Sequence, residues 1–177
     1  MTCIAAVVHR NVTYMAGERG NSDDHCILSS IDKKIIKKGE YLIGYSGNTG
    51  MGQAVQYSFT PPIFGAKDIN KFMVSKFVPS LKKFYEESKI SMPEKDDDHA
   101  SFIVGIFGCI FEIDTADFQV GQYEELAIGS GGQYALGSLY STRHIKDPKK
   151  RLRMAIESSI LYSPSCQGPI DYISEHD

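Results

Sequence analysis

No apolar run in the chain approaches the ~20 residues that a membrane-spanning helix requires, and the first residues lack the basic stretch that opens a secretion signal. Both absences point to a soluble protein. Cysteine is sparse: Cys3, Cys26, Cys109 and Cys166 stand far apart with no C-x-x-C pair, which fits a reducing, cytoplasmic setting. Charge of neither sign dominates. The formal net charge is -3 and the lysines and arginines are scattered rather than striped, so neither nucleic acid nor membrane is indicated as a partner. The phosphate-binding patterns G-x-G-x-x-G and G-x-x-x-x-G-K-[ST] are both missing. There is no G-x-S-x-G, and His9, His25, His144 and His176 have no Ser or Cys motif beside them, so a Ser-His-Asp triad has no support. Asp96, Asp97, Asp98 and His99 match no EF-hand or zinc spacing and read as a solvated loop. No internal repeat or low-complexity tract occurs.

What is present suits one domain, residues 1–177, with a sizeable core: 42% of the residues are hydrophobic. Residues 2–9 and 12–16 read as two strands of a hairpin turning at Arg10-Asn11, followed by an exposed polar loop over 17–24. A third strand is expected over 26–36 and a fourth over 41–47, giving an antiparallel sheet. From Asn48 the period becomes helical, with Met51, Val55 and Phe59 on one face and Pro61-Pro62 as a stop. Asp68 is placed to cap a longer helix through Ile69, Phe72, Met73, Phe77 and Leu81, kinked or split at Pro79 and continuing to Ile90. Residues 93–99 read as a loop, 101–113 as two strands around Gly108, and 118–123 as another strand. The glycine-rich turn 127–132 opens a helix over 133–141. Pro148 suits the first turn of a last helix that buries Leu152, Ala155, Ile156, Ser159 and Ile160 and ends at Pro164, before a short strand over 170–174. Strands, helices, strands and helices in that order imply a layered α+β architecture.

Thr2 stands at the start of the first apolar strand. Removal of Met1 would make it a hydroxyl nucleophile carrying its own α-amine, a base that titrates near ~8 in an unperturbed peptide. A threonine in second place says little by itself. Such a nucleophile needs a cation close by, and of Lys33 and Lys34, whose side chains alternate along a strand, at most one faces inward; a lysine pair on an edge strand also serves solubility alone. Acyl transfer further needs N–H donors for an oxyanion, which Gly44 and Gly47 would supply, although glycines in strands also mark bulges and turns. Ser130, within Gly-Ser-Gly-Gly, either bonds the amine or simply belongs to a helix start.

Taken together, Thr2, Ala16-Gly17-Glu18, Lys34, Gly44-Tyr45-Ser46-Gly47 and Ala127-Ile128-Gly129-Ser130-Gly131-Gly132 followed by Tyr134-Ala135 resemble the N-terminal-threonine peptidases of the proteasome β family, above all its bacterial HslV-like branch. The resemblance implies the four-layer αββα sandwich of N-terminal-nucleophile hydrolases. It also implies roles. Thr2 attacks the scissile carbonyl, its amine serving as base directly or through water. Lys34 lowers the amine's pKa, Glu18 pairs Lys34 where the family carries Asp, Gly44 or Gly47 donates to the oxyanion, and Ser130 orients the amine. No cofactor takes part in the chemistry. Backbone carbonyls of Ile160, Ser163 and Cys166 match positions that hold a structural monovalent cation, Na+. The implied assembly is a homo-oligomer of stacked rings, a dodecamer or a tetradecamer, that degrades unfolded protein delivered by an ATP-dependent unfoldase ring. Ser163 and Cys166 depart from the Asp and Ser of proteasome subunits proper, and Cys3 replaces a second Thr. With no propeptide before Thr2, methionine removal is the one maturation step expected. Two competing readings follow: a catalytically inactive structural subunit that keeps Met1, and an N-terminal-nucleophile amidase acting on a small molecule.

Overall fold

The computed structural model describes residues 2–22, 26–88 and 99–177. Met1, the expected loop over 93–98 and the expected helix end at Ile90 lie outside the described residues. In chain order the strands are β1 (Ile4–His9), β2 (Val12–Glu18), β3 (Gly20–Ser22), β4 (Ile27–Ser29), β5 (Ile35–Lys38), β6 (Tyr41–Gly47), β7 (Ala100–Ile106), β8 (Cys109–Asp114), β9 (Val120–Tyr123), β10 (Glu125–Ile128) and β11 (Ile170–Ser174). The helices are α1 (Thr49–Tyr57), α2 (Ile69–Phe72), α3 (Val78–Glu87), α4 (Gly132–Ser141) and α5 (Pro148–Tyr162).

The β1–β2 hairpin turns through Arg10 and Asn11, both with positive φ (50° and 59°), the conformation whose twist matches antiparallel strands. It forms the centre of a sheet ordered β10-β1-β2-β11, and a second sheet runs β5-β6-β7-β8-β9. Every pairing is antiparallel. Alternate side chains of β1 point to opposite faces, and both faces are buried, which is why its sequence is continuously apolar. Ile4 and Ala6 meet Ile35, Leu42, Ile103 and Ile110 between the two sheets. Cys3, Ala5 and Val7 pack instead against Ala135, Leu139, Leu152, Ala155 and Ile156 of α4 and α5. On the far side, Ile43, Tyr45, Phe102, Val104 and Phe111 of the second sheet carry Met51, Val55, Phe77, Leu81 and Tyr85 of the helical segment 49–87. Four layers, αββα, result, as the family resemblance implied.

Helix starts follow the expected chemistry. Asn48 accepts from Met51 N–H, Asp68 from Lys71 N–H, and Asp147 from Lys149 N–H with Pro148 in the first turn. The helix is split just ahead of Pro79, one of the two outcomes expected there. A π-helical turn, Met73–Phe77, precedes it, and the Val78 N–H bonds to Met73 C=O, five residues back. That wider turn relieves the clash between the proline ring and the carbonyl four residues before it, and Pro79 then sits within the first turn of α3.

Three local expectations are corrected. The polar stretch 17–24 is not wholly a loop: β2 runs through Glu18, and Gly20–Ser22 pairs with Ile27–Ser29. Glu18 is fully buried, so its polarity marks a satisfied interior charge rather than a water-facing bend. The single strand expected over 26–36 is two strands in different sheets, β4 and β5, separated by bends over 30–34. Ala127 and Ile128 belong to β10, which confines the glycine-rich turn to residues 129–131. Among the described residues no helix is long and apolar enough to cross a membrane.

Candidate active site around Thr2

Thr2 directly precedes β1 and is 4% exposed. The glycine-rich turn wraps its carbonyl: Gly131 N–H donates to Thr2 C=O at 3.2 Å. Gly129 has φ +89°, and a Cβ there would lie 2.1 Å from the Thr2 carbonyl oxygen, so this position requires glycine on both conformational and steric grounds. The turn is tied to α5 through Ser159, whose hydroxyl donates to Gly131 C=O at 2.8 Å.

Three side chains converge on Thr2. Lys34 Nζ donates to Thr2 Oγ1 at 2.6 Å, and it also donates to the Gly20 carbonyl. Behind it, Glu18 Oε1 stands 3.2 Å from the same ammonium. The backbone N–H of Thr2 donates to Ser130 Oγ at 3.3 Å. Lys34 occupies the bend before β5, where Tyr45 N–H holds its carbonyl at 3.1 Å and so registers it against β6. Lys33 points the other way, its side chain 57% exposed. Of the two lysines, the one proposed for the site is the one turned inward.

Glu18 holds the cluster together. Its Oε1 also accepts from Cys3 N–H at 3.1 Å, and its Oε2 accepts from Gly20 N–H and from Gln167 N–H at 3.0 Å. One carboxylate thus joins the start of β1, the start of β3 and the loop after α5. Burial pushes the Lys34 pKa below the usual lysine value, and the Glu18 charge pulls it back up. Burial raises the Cys3 thiol to about 12 and raises Cys166 as well, so both sulfurs beside the site are neutral.

The structure separates the two glycines proposed as oxyanion donors. Gly47 ends β6 with φ +82°, and a Cβ there would lie 2.2 Å from the His99 carbonyl oxygen. Its neighbour Ser46 has its Cβ 3.2 Å from where a Gly129 Cβ would sit, so this end of β6 abuts the turn around Thr2. Gly44 lies deeper, paired with Ile35 and Ile103, and a Cβ there would meet Ile4 Cγ2 at 2.7 Å and the Met15 sulfur at 2.9 Å. Its lack of a side chain lets the two sheets approach.

Ile160, Ser163 and Cys166 surround the end of α5. The helical donor for the Ile160 carbonyl would be residue 164, a proline without an N–H, while Ser163 C=O accepts from Cys166 N–H at 3.3 Å. No group of three or more His, Cys, Asp or Glu among the described residues is arranged to hold a metal through its side chains.

Ser165 and Gln167 escaped the sequence reading. Ser165 Oγ lies 2.8 Å from Ser130 Oγ and 3.0 Å from Ser163 Oγ, and Gln167 contributes a backbone N–H to Glu18. The one signal for them was the short loop Ser165-Cys166-Gln167-Gly168-Pro169 after the helix-ending Pro164, which also describes any polar loop.

No family profile and no curated protein sequence matches the chain. Solved structures do. BPH from Thiobacillus denitrificans superposes with a TM-score of 0.81 at 17% identity, covering 98% of this chain and 97% of that one. The same protein in complex with epoxomicin gives 0.81 at 16% identity over the same shares. Eukaryotic HslV from Trypanosoma brucei gives 0.72 at 19% identity, covering 98% of both chains. The chain has the fold of HslV- and proteasome-like peptidases, the four-layer αββα sandwich of N-terminal-nucleophile hydrolases.

Proposed function

We propose that the chain is a threonine-type endopeptidase, the proteolytic subunit of a self-compartmentalising ring that hydrolyses unfolded protein. The observation that carries this reading is the Lys34 ammonium 2.6 Å from Thr2 Oγ1, with Ser130 Oγ 3.3 Å from the Thr2 nitrogen. Hydroxyl, cation and nitrogen partner thus meet on one buried residue that follows Met1 in the sequence.

Once Met1 is gone, the Thr2 amine takes the hydroxyl proton, directly or through water, and Oγ1 attacks the scissile carbonyl carbon. Lys34 stabilises the developing alkoxide and disfavours protonation of the amine. The tetrahedral oxyanion is met by the Gly47 N–H at the mouth of β6, Gly44 being closed in between the sheets. Collapse transfers the proton to the departing amine and leaves an ester on Thr2, which water hydrolyses to restore the hydroxyl. Glu18 and Ser130 fix the cation and the amine. A structural Na+ on the carbonyls of Ile160, Ser163 and Cys166 would brace the loop that delivers Ser165 and Gln167, and it supplies no chemistry.

A homo-oligomer of stacked rings, dodecameric or tetradecameric, would confine the nucleophile in a cytoplasmic chamber. An ATP-dependent unfoldase ring is the partner this implies, because folded substrates cannot enter a narrow pore; with no phosphate-binding motif in this sequence, ATP use would belong to that partner. Epoxomicin, present in one BPH structure, is the natural small-molecule probe. The test is intact-mass spectrometry with light scattering on the native protein. A chain beginning at Thr2 in a ring-sized particle supports the proposal. Uniform retention of Met1 overturns it in favour of an inactive structural subunit, and a particle of one or two 19.7 kDa chains favours a small-molecule amidase.

A further inference from the structure

The Thr2 nitrogen is one end of a chain of hydroxyls. It donates to Ser130 Oγ, which lies 2.8 Å from Ser165 Oγ, which in turn lies 3.0 Å from Ser163 Oγ. Ser165 is 3% exposed and Ser163 5%, so the far end of the chain is shielded from bulk water, while Ser130 at the nitrogen end is exposed. Each serine hydroxyl has one proton and two acceptor sites. The run can therefore point in either of two directions. In one, Ser130 accepts from the amine and passes its own proton toward Ser165. In the other, Ser165 donates to Ser130, and Ser130 donates to the amine's lone pair. Rotation of hydroxyls alone matches the network to a protonated or a neutral amine.

Among the described residues, the charged and titratable groups around Thr2 are Lys34 from the bend before β5, which donates to its hydroxyl, Glu18 from β2, which accepts from Cys3 N–H and pairs Lys34, and the thiols of Cys3 and Cys166. The Glu18 carboxylate is engaged by Lys34 and by the N–H groups of Cys3, Gly20 and Gln167, and burial keeps both thiols neutral. The hydroxyl chain therefore orients the amine without adding negative charge that would hold its proton.

We propose that Ser165 is a positioning residue for the Thr2 amine, aiming Ser130 Oγ at the nitrogen and completing, with Ser163, a neutral three-serine relay. This rests on the peptidase reading given above. Ser165 acts through Ser130 and touches neither substrate nor the reacting hydroxyl.

The test compares Ser165→Ala, Ser165→Thr and Ser165→Asp with the unaltered protein and with Thr2→Ala, measuring kcat and KM on a fluorogenic peptide across the neutral pH range. Ser165→Ala should lower kcat about tenfold with KM unchanged, the loss of one orienting hydrogen bond. Ser165→Thr keeps the hydroxyl and should restore most of the rate. Ser165→Asp puts a carboxylate into the relay, which favours the ammonium form, so the acid limb of the kcat profile should move upward by about one pH unit. Wild-type kcat and pH profile in Ser165→Ala would overturn the relay. So would a loss that Thr does not rescue and that leaves the acid limb of Ser165→Asp unmoved, since mere packing behaves that way. Undiminished cleavage by Thr2→Ala would instead refute the peptidase reading, whereas an inactive Thr2→Ala beside a fully active Ser165→Ala refutes the relay alone.

Discussion

The ammonium of Lys34 stands 2.6 Å from the hydroxyl oxygen of Thr2, with the Glu18 carboxylate 3.2 Å behind it. The cation thus lies between a buried acid and the group proposed to become an alkoxide, where water cannot screen it. Lys34→Ala should reduce peptide turnover by about a hundredfold or more, the scale seen when a preorganised electrostatic partner is removed. Steady-state kinetics on an assembled sample check this, and unchanged turnover would take Lys34 out of the site.

The same lysine leaves a mark on stability against pH. Burial lowers its folded-state pKa below the reference value of 10.5. Between that lowered value and the unfolded one, the unfolded chain binds more protons than the folded chain, so the contribution of this group to stability rises with pH across the window and levels off above it. Urea titrations at stepped alkaline pH should show Lys34→Met losing this upward slope. An identical slope in the variant would contradict the buried position.

Glu18 accepts from the N–H groups of Cys3, Gly20 and Gln167 while pairing Lys34. Glu18→Ala strands a buried ammonium and three backbone donors and should cost about 3–5 kcal/mol in urea denaturation. Glu18→Asp keeps the charge but, one methylene shorter, cannot span Cys3 and Gln167 together, and should cost about 1 kcal/mol. Equal losses in the two variants would show that reach plays no part.

The glycines separate local fit from helix propensity. Gly129→Ala would place a methyl 2.1 Å from the Thr2 carbonyl at φ +89°, and should abolish activity or folding. Gly137, inside α4, has nothing within 4 Å of where an alanine methyl would sit, and Gly137→Ala should stabilise by about 0.5–1 kcal/mol, raising Tm by about 1–4 °C. Thermal unfolding by circular dichroism distinguishes the pair, and a destabilised Gly137→Ala would mean that this face of α4 is covered.

Periodicity and turn chemistry made most of the architecture readable before the structure. The Arg10-Asn11 turn, the Asp68 cap and the apolar faces of α3 and α5 are local signals, and each stands where the pattern placed it. The stretches that misled are those where polar residues turn inward. Glu18 sits in a buried strand because three of its four partners, Cys3, Lys34 and Gln167, lie 15, 16 and 149 residues away, and residues 30–34 break a strand to deliver Lys34 inward. The contacts of Ser165 to Ser130 and of Gln167 to Glu18 span 35 and 149 residues, a closeness that no local pattern encodes.

The central claim is that the Thr2 hydroxyl, beside its own freed amine, is the nucleophile. It is tested most directly by the rate at which Thr2→Ala hydrolyses an unfolded protein, measured against unaltered protein whose chains begin at Thr2, with both samples at the same assembly state. The expected result is loss of hydrolysis in the variant with assembly intact. Equal hydrolysis by the two proteins would contradict the account.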